Sequence, residues 1–227
     1  MAHEQRLTAT DRLQRRLEAD IVTGVLAPGV RIKPSALAPR YGVSVTPFRE
    51  ALARLQTQGL VEIDAFVGAR VAGISPEEVV DLFAVRLRLE PPALQRAVEL
   101  AGDGPRSELR QAFKRLRRAS PEGTTPAAGV GRWLEAHREF HWALVAGTDS
   151  GWSLRLLRTI YDHLDRYQAL AWSGGWLRAG SLDDHTRLFE LHLAGEAAAA
   201  CEALESHLES ALAHIVTVLG EQPNATE

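Results

Sequence analysis

Cysteine is nearly absent from this chain: Cys201 is the only one among 227 residues. A lone cysteine permits no disulfide within the chain, which excludes a disulfide-stapled secreted domain and points to a reducing cytoplasm. No apolar run approaches the ~20 residues that a membrane-crossing helix needs. The first 20 positions are charged and polar throughout and lack the apolar stretch of a secretory leader. No Gly-rich phosphate loop, nucleophile elbow or carboxylate pair stands out, so no enzyme class is marked. Fixed-period repeats and long low-complexity tracts are missing as well. Between Ser75 and Gly220 no segment alternates as a strand would.

What is present divides in two. Apolar residues make up 45% of the chain, enough for a real core, and the length exceeds that of a typical single domain. The net charge of -3 is unevenly spread: residues 1–74 hold 10 Lys and Arg against 7 Asp and Glu, and the remainder holds 16 against 22. We therefore expect a mildly basic head at 1–74, an acidic body at 75–220 and a flexible tail at 221–227. The small charge difference alone does not separate a polyanion-binding head from a neutral accident.

The head carries a dense local pattern. A turn at Ala27-Pro28-Gly29 precedes a short helix over residues 35–41, and Gly42-Val43-Ser44 breaks it and starts a second helix from Thr46 to Gln56. That helix stops near Gly59. Leu60 to Ile63 and Ala69 to Val71 then alternate like two strands around Gly68. Helix, turn, helix and hairpin is the order of a winged helix-turn-helix, whose second helix offers its N-terminal residues to base edges in the major groove. Ser44 is the expected N-cap, and Pro47 is tolerated in the first turn, where its missing N–H would have no intrahelical partner. Thr46 and Arg49 share one face, while Leu52 and Leu55 point inward.

The body reads as about six amphipathic helices. Ser75-Pro76-Glu77-Glu78 is a start signal with a capping-box pattern. The first helix places Val79, Leu82, Phe83, Arg86, Leu89, Glu90 and Ala93 on one broad stripe. Further segments run over about 105–119, 130–147, 151–171, 181–194 and 196–219. His137 and His141 stand one turn apart on one helix face, and His185 and His207 sit among apolar neighbours on the last two helices. Four imidazoles could converge on a zinc or nickel ion, or they could be hydrogen-bonded core residues. Spacing leaves both readings open.

Pro28-Gly29, Ser35, Leu37-Ala38, Gly42-Val43-Ser44, Thr46-Pro47, Arg49-Glu50-Ala51-Leu52, Leu55, Gly59-Leu60-Val61 and Gly68-Ala69-Arg70-Val71 closely resemble the N-terminal domain of GntR-family bacterial transcription regulators. The resemblance implies contacts to double-stranded operator DNA by Ser35, Ser44, Thr46, Pro47, Arg49, Gly68 and Arg70. Two departures matter: Val45 stands where the family usually has a base-reading Arg, and Ala36 and Pro39 replace acidic or polar residues. Leu134 to Trp152, Asp184 to Leu191 and Ala200 to Leu208 look like the FCD effector domain of the FadR-like branch. On that resemblance His141, His185 and His207 match three metal-binding histidines, and His137 occupies the place of a customary Asp. We count all four as metal ligands. Arg86 matches an arginine near the effector, with Glu90 one turn away as its structural competitor. Arg166, beside Tyr161 and Tyr167, is the second effector candidate. His192 and His214, seven residues beyond two of the ligands, are read as structural, and Cys201 as a small buried residue. The five tryptophans are expected to build core and pocket wall, with Trp172 and Trp176 in a loop near the pocket.

An enzyme remains the contrasting reading. His137 and His141 have the histidine spacing of a zinc-protease helix, but Glu139 follows the first His by two positions instead of one. Its carboxylate is thereby turned ~200° from the histidine edge. A purely structural metal bundle is the third reading, and the winged head opposes both. The resemblance implies a cytoplasmic homodimer that represses a palindromic operator and releases it when a small carboxylate metabolite binds the helical domain.

Overall fold

The computed structural model describes residues 8–64, 66–119, 126–173 and 181–221. The chain forms two compact units that divide between Ile74 and Ser75. His3, Trp176, the side chain of Trp172 and the expected tail beyond Glu221 lie outside the described residues.

The first unit contains α1 (Ala9–Val22), β1 (Arg31–Ile32), α2 (Pro34–Leu37) continued by a 3-10 turn at Ala38–Tyr41, α3 (Val45–Thr57), β2 (Val61–Asp64) and β3 (Gly68–Val71). Helix α1 is not among the expected elements. The Thr8 hydroxyl accepts the Asp11 N–H at 3.1 Å, and the Asp11 carboxylate accepts the Thr8 N–H at 2.8 Å. These two bonds satisfy donors that a helix start leaves open. Leu13, Leu17 and Ile21 then recur every fourth residue, and they are buried in one core with Phe48, Leu52 and Leu55 of α3.

The helix expected over 35–41 is shorter and of two kinds. Pro39 lies at the start of the 3-10 turn, where a missing N–H costs little. Gly42 closes the turn with φ of 71°, a left-handed conformation that a side chain would strain. Ser44 is the N-cap of α3 in an extended conformation, but its side chain makes no capping hydrogen bond. The hairpin is a three-stranded antiparallel sheet in the order β1-β3-β2, with Arg31 opposite Arg70 and Val61 opposite Val71. Two residues of β1 are too short to show a period in the sequence.

The second unit contains, among the described residues, the six helices α4 (Pro76–Leu100), α5 (Asp103–Ala119), α6 (Pro126–Val145), α7 (Gly151–Ser173), α8 (Ser181–Ala194) and α9 (Ala197–Glu221). Helix α6 starts four residues before the expected position. Ser75 caps α4 by accepting the Glu78 N–H at 3.0 Å. The return half of the capping box is not made, because the Glu78 carboxylate is held by Arg166 and Tyr167 of α7. Helix α4 continues through Pro91 and Pro92 and packs against α9 and α7; α5 packs on α6, and α8 on α9. Phe83, Leu94, Leu109, Phe140, Leu144, Leu164, Leu188, Leu204 and Leu208 form buried parts of this core. Cys201 is only half-buried, and its thiol donates to the Pro91 carbonyl at 3.2 Å. No helix among the described residues is long and apolar enough to cross a membrane.

Candidate functional site

Helix α3 has two distinct faces. Phe48, Ala51, Leu52 and Leu55 are buried, whereas Ser44, Thr46 and Arg49 are exposed and Pro47 is half-buried. Arg49 and Ser35 border a groove of about 660 Å³ that Arg31, Lys33, Val67 and Gly68 also line. Arg49, Lys33 and Arg40 are exposed and make no ion pair among the described residues. Unpaired guanidinium and ammonium groups around a helix of groove-fitting width are what a polyanion requires. Arg70 is placed differently: its guanidinium is held by Glu62 across the strands, at 2.7 Å from Nε. Both partners are about half-exposed, so the pair holds Arg70 weakly. Arg31 and Lys33 are contacts that the motif does not mark; the signal for them is a cation on each side of the buried Ile32.

The second cluster is inside the helical unit. His137 and His141 come from α6, His185 from α8 and His207 from α9, with 4%, 1%, 1% and 4% of their surface exposed. One ring nitrogen from each lies within 4.8 Å of the others. The ring centres of His137 and His141 are 4.5 Å apart, as the four-residue spacing dictates, and those of His185 and His207 are 4.6 Å apart. Trp133 stacks on His137 at 4.4 Å and fixes that ring from behind. His137 thus points to the same centre as the other three.

Burial, with the neighbouring imidazoles adding to it, pushes the pKa of His137 well below its ordinary 6.5. His141 is lowered in the same direction by burial and by the Arg86 guanidinium. Both rings are therefore neutral at physiological pH, with lone pairs available. The Nε2 atoms of His137 and His141 are buried and have no hydrogen-bond partner among the described residues. A buried polar atom without a partner is costly, and a shared cation removes that cost. The donor set is nitrogen throughout, which suits a late first-row ion better than magnesium or calcium.

Arg86 and Glu90 stand behind His141. Glu90 is fully buried and Arg86 nearly so. The Arg86 Nε donates to Glu90 Oε2, and Arg86 Nη2 lies 3.3 Å from Oε1. Burial pulls the Arg86 pKa down and the Glu90 charge more than offsets it, so the guanidinium stays charged. Glu90 Oε1 is also 3.1 Å from His141 Nδ1. Arg86 Nη2 lies 3.2 Å from the same nitrogen; with Glu90 as its partner, Nδ1 carries the ring proton and the Nε2 lone pair faces the cluster. Asp184 stands in a looser relation to His207, 3.6 Å from its Nδ1. The spacing of Glu90 from Arg86 marks it as that arginine's partner; its contact with His141 depends on α4 packing against α6.

A cavity of about 10 Å³ adjoins His137 and His141, room for about one water molecule. Among the described residues Arg86, Arg138, Tyr161, Leu164, Asp165 and Gln168 complete its wall. Arg138 is held by Asp165 and, at 3.0 Å, by Asp162. Arg166 is not part of this wall. It is buried against Glu78, 2.5 Å from Oε2, with the Tyr167 hydroxyl on the same carboxylate. His192 and His214 do not join the cluster, and Trp152 is 71% exposed and stands outside core and pocket.

The profile of the FCD domain matches residues 81–210, and that of the bacterial regulatory proteins of the gntR family matches residues 9–71. The chain is 34% identical over 200 residues to the HTH-type transcriptional regulator BphR of Paraburkholderia xenovorans, covering 87% of this chain and 81% of the relative. It is 30% identical to the HTH-type transcriptional repressor GlaR of Escherichia coli, over 86% of this chain and 90% of the relative. The solved structure of E. coli McbR/YncC has the same fold, with a TM-score of 0.75 at 19% identity over 93% of this chain and 99% of that one. A GntR family member from Pseudomonas syringae, 28% identical, overlays with a TM-score of 0.56 over 94% of this chain and 87% of its own. These relatives are transcription regulators, not enzymes. With helix-turn-helix and FCD regions matched in sequence and fold, the chain belongs to the gntR family of bacterial regulatory proteins and is a DNA-binding transcription regulator.

Proposed function

We propose that this regulator is a cytoplasmic, homodimeric repressor whose head, residues 1–74, reads a palindromic operator and whose body, residues 75–220, senses a small carboxylate through a divalent transition metal. The observation that carries the sensing half is the convergence of four buried imidazoles from three helices, with the Nε2 atoms of His137 and His141 unpartnered among the described residues. Zinc or nickel held by His137, His141, His185 and His207 would offer remaining coordination positions to carboxylate oxygens. Arg86, on the cavity wall, contributes fixed positive charge, although Glu90 already takes most of its hydrogen-bonding capacity. Tyr161 and Gln168 add polar atoms to the same wall. We assign Arg166 to holding the start of α4 on α7 rather than to the effector.

Repression is supported by the relative GlaR, which is itself a transcriptional repressor. A dimer is supported by apolar side chains left exposed on two helices: Val80 and Val85 of α4 and Trp152 and Leu156 of α7. Two-fold symmetry lets each head read one half-site. The cavity of about 10 Å³ is too small for a metabolite, so an effector has to displace packed side chains. It shifts DNA affinity only by its differential affinity for the two arrangements.

The test is a mobility-shift titration on the intergenic DNA upstream of the gene, with small carboxylic acids added one at a time to metal-loaded protein. One acid should release the DNA from wild type but not from His141→Ala, which should still bind. Release from a folded His141→Ala protein at the wild-type concentration would remove the histidine centre from sensing.

A further inference from the structure

The wing carries a feature that DNA binding through α3 does not use. Phe66 is 97% exposed, and beside it Val67 is 54% and Ile63 39% exposed. A phenyl ring in full contact with water forgoes the stabilisation that its burial would supply. Its backbone is nonetheless ordered by polar bonds. The Asp64 carboxylate accepts the N–H of Phe66 at 2.7 Å and that of Val67 at 2.8 Å, and Arg31 Nη2 donates to the Val67 carbonyl. Gly68 follows with φ of 92°, a turn conformation that a side chain would strain. The turn is thus built to hold an apolar tip outward without burying it.

The surroundings select the partner. Val67 and Gly68 line the same groove as Arg31, Lys33, Ser35 and Arg49, so the apolar tip stands at the edge of a cationic face. An apolar protein partner gains nothing from those cations, whereas a nucleic acid duplex, the ligand of this family's heads, offers phosphates beside stacked bases. The tip shares the groove lined by Ser35 and Arg49, so with α3 in a major groove it would reach the adjoining minor groove. That groove is ~6 Å wide and too narrow for a two-stranded ribbon, yet it admits one ring at its tip. Apolar side chains inserted there part base steps and bend the duplex.

We propose that Phe66, supported by Val67, is a wedge that the wing inserts into the minor groove flanking the α3 half-site, partly unstacking one base step and bending the operator. Readout through the wedge is by deformability, so pyrimidine–purine steps such as TA and CA are preferred at that position, where no side chain hydrogen-bonds a base. This supplies discrimination that Val45, in place of a base-reading arginine, does not.

The experiment uses the full-length protein and a duplex that it selects from a randomised library, with 2-aminopurine placed in turn at each step flanking the half-site. Binding by wild type should raise the fluorescence at one step, and end-labelled duplex should show a bend by energy transfer. Phe66→Ala should abolish that rise, reduce the bend and weaken binding roughly fivefold or more, on the scale of one lost base–aromatic contact. The salt dependence should be unchanged, because no phosphate contact is lost. Phe66→Leu, which keeps an apolar wedge, should retain part of the bend. Because Phe66 is outside the core, both variants should melt like wild type. Quenched 2-aminopurine at every step in the wild-type complex, or unchanged bending by Phe66→Ala, would overturn the proposal. If unchanged bending came with altered self-association, Phe66 would belong to a protein contact instead.

Discussion

The head and the body place their functional residues on opposite sides of the solvent boundary. In the head, Thr46, Arg49 and Lys33 are exposed, and their positions follow from a short run of sequence folding against its own neighbours. In the body, His137, His141, His185, His207, Arg86 and Glu90 are buried and come from four helices, α4, α6, α8 and α9. A surface site can change without cost to the fold, whereas a buried polar site is part of the stability of its unit. The same chemistry, an arginine paired with a glutamate, therefore has different consequences at the two places.

Replacing Glu90 is the sharpest test of that difference. Glu90→Ala should cost about 3–5 kcal/mol of unfolding free energy, because the Arg86 charge is left buried and unpaired. Glu62→Ala, which frees the exposed Arg70, should cost about 0–1 kcal/mol. Denaturant titrations of the two variants check both numbers, and equal effects would erase the distinction. Glu90→Ala should also weaken metal binding about 10- to 100-fold by releasing the His141 ring.

Arg49→Ala moves to the exposed side. It should leave unfolding unchanged and weaken DNA binding by about 1–3 kcal/mol if Arg49 contacts a base pair, with specificity relaxed at one position. Loss spread evenly over all sequences, with a shallower salt dependence, would mark a phosphate contact. A titration indistinguishable from wild type would remove Arg49 from the interface.

The smallest expected effect concerns the start of α1. Thr8→Ala should cost about 1 kcal/mol through the lost cap. The hydrogen bonds from Thr8, with Arg54 assisting, lower the Asp11 pKa from 3.8 to about 2. A carboxylate with a depressed folded pKa stabilises fully above its unfolded value and loses that contribution as pH falls through the folded one. The difference between Thr8→Ala and wild type should therefore be constant above about pH 5 and shrink toward pH 2. A difference that grew on acidification would show that Asp11 is not held by Thr8.

Much of the head is legible because its pattern is contiguous: turn, helix break, Ser44 and the Gly68 hairpin occur within 46 residues from Pro28 to Gly73. Helix α1 fell outside that motif although Leu13, Leu17 and Ile21 repeat at helical spacing behind a capped Thr8. In the body, the six-helix plan follows from apolar periodicity, and His137 and His141 share a face by spacing alone. His185 and His207 join them through packing that no local pattern encodes, and the resemblance supplied the link. The Glu90–His141 contact spans 51 residues and had no sequence signal at all. The position of Arg166 is not legible for a related reason: its helix turns it toward Glu78 of α4, and only the relative rotation of α4 and α7 decides which face meets the cavity.

The central claim is that the buried histidines form a metal centre, and metal content with melting behaviour tests it most directly. Purified full-length protein, dialysed after loading, should hold about one late transition metal ion per chain, and chelation should lower its melting temperature. At free metal near 100 times its dissociation constant the lost stabilisation is about 2.7 kcal/mol. His185→Ala should hold less metal and respond little to the chelator. Wild-type protein without metal under saturating conditions, melting identically with and without chelator, would contradict the account and leave the four histidines as core residues.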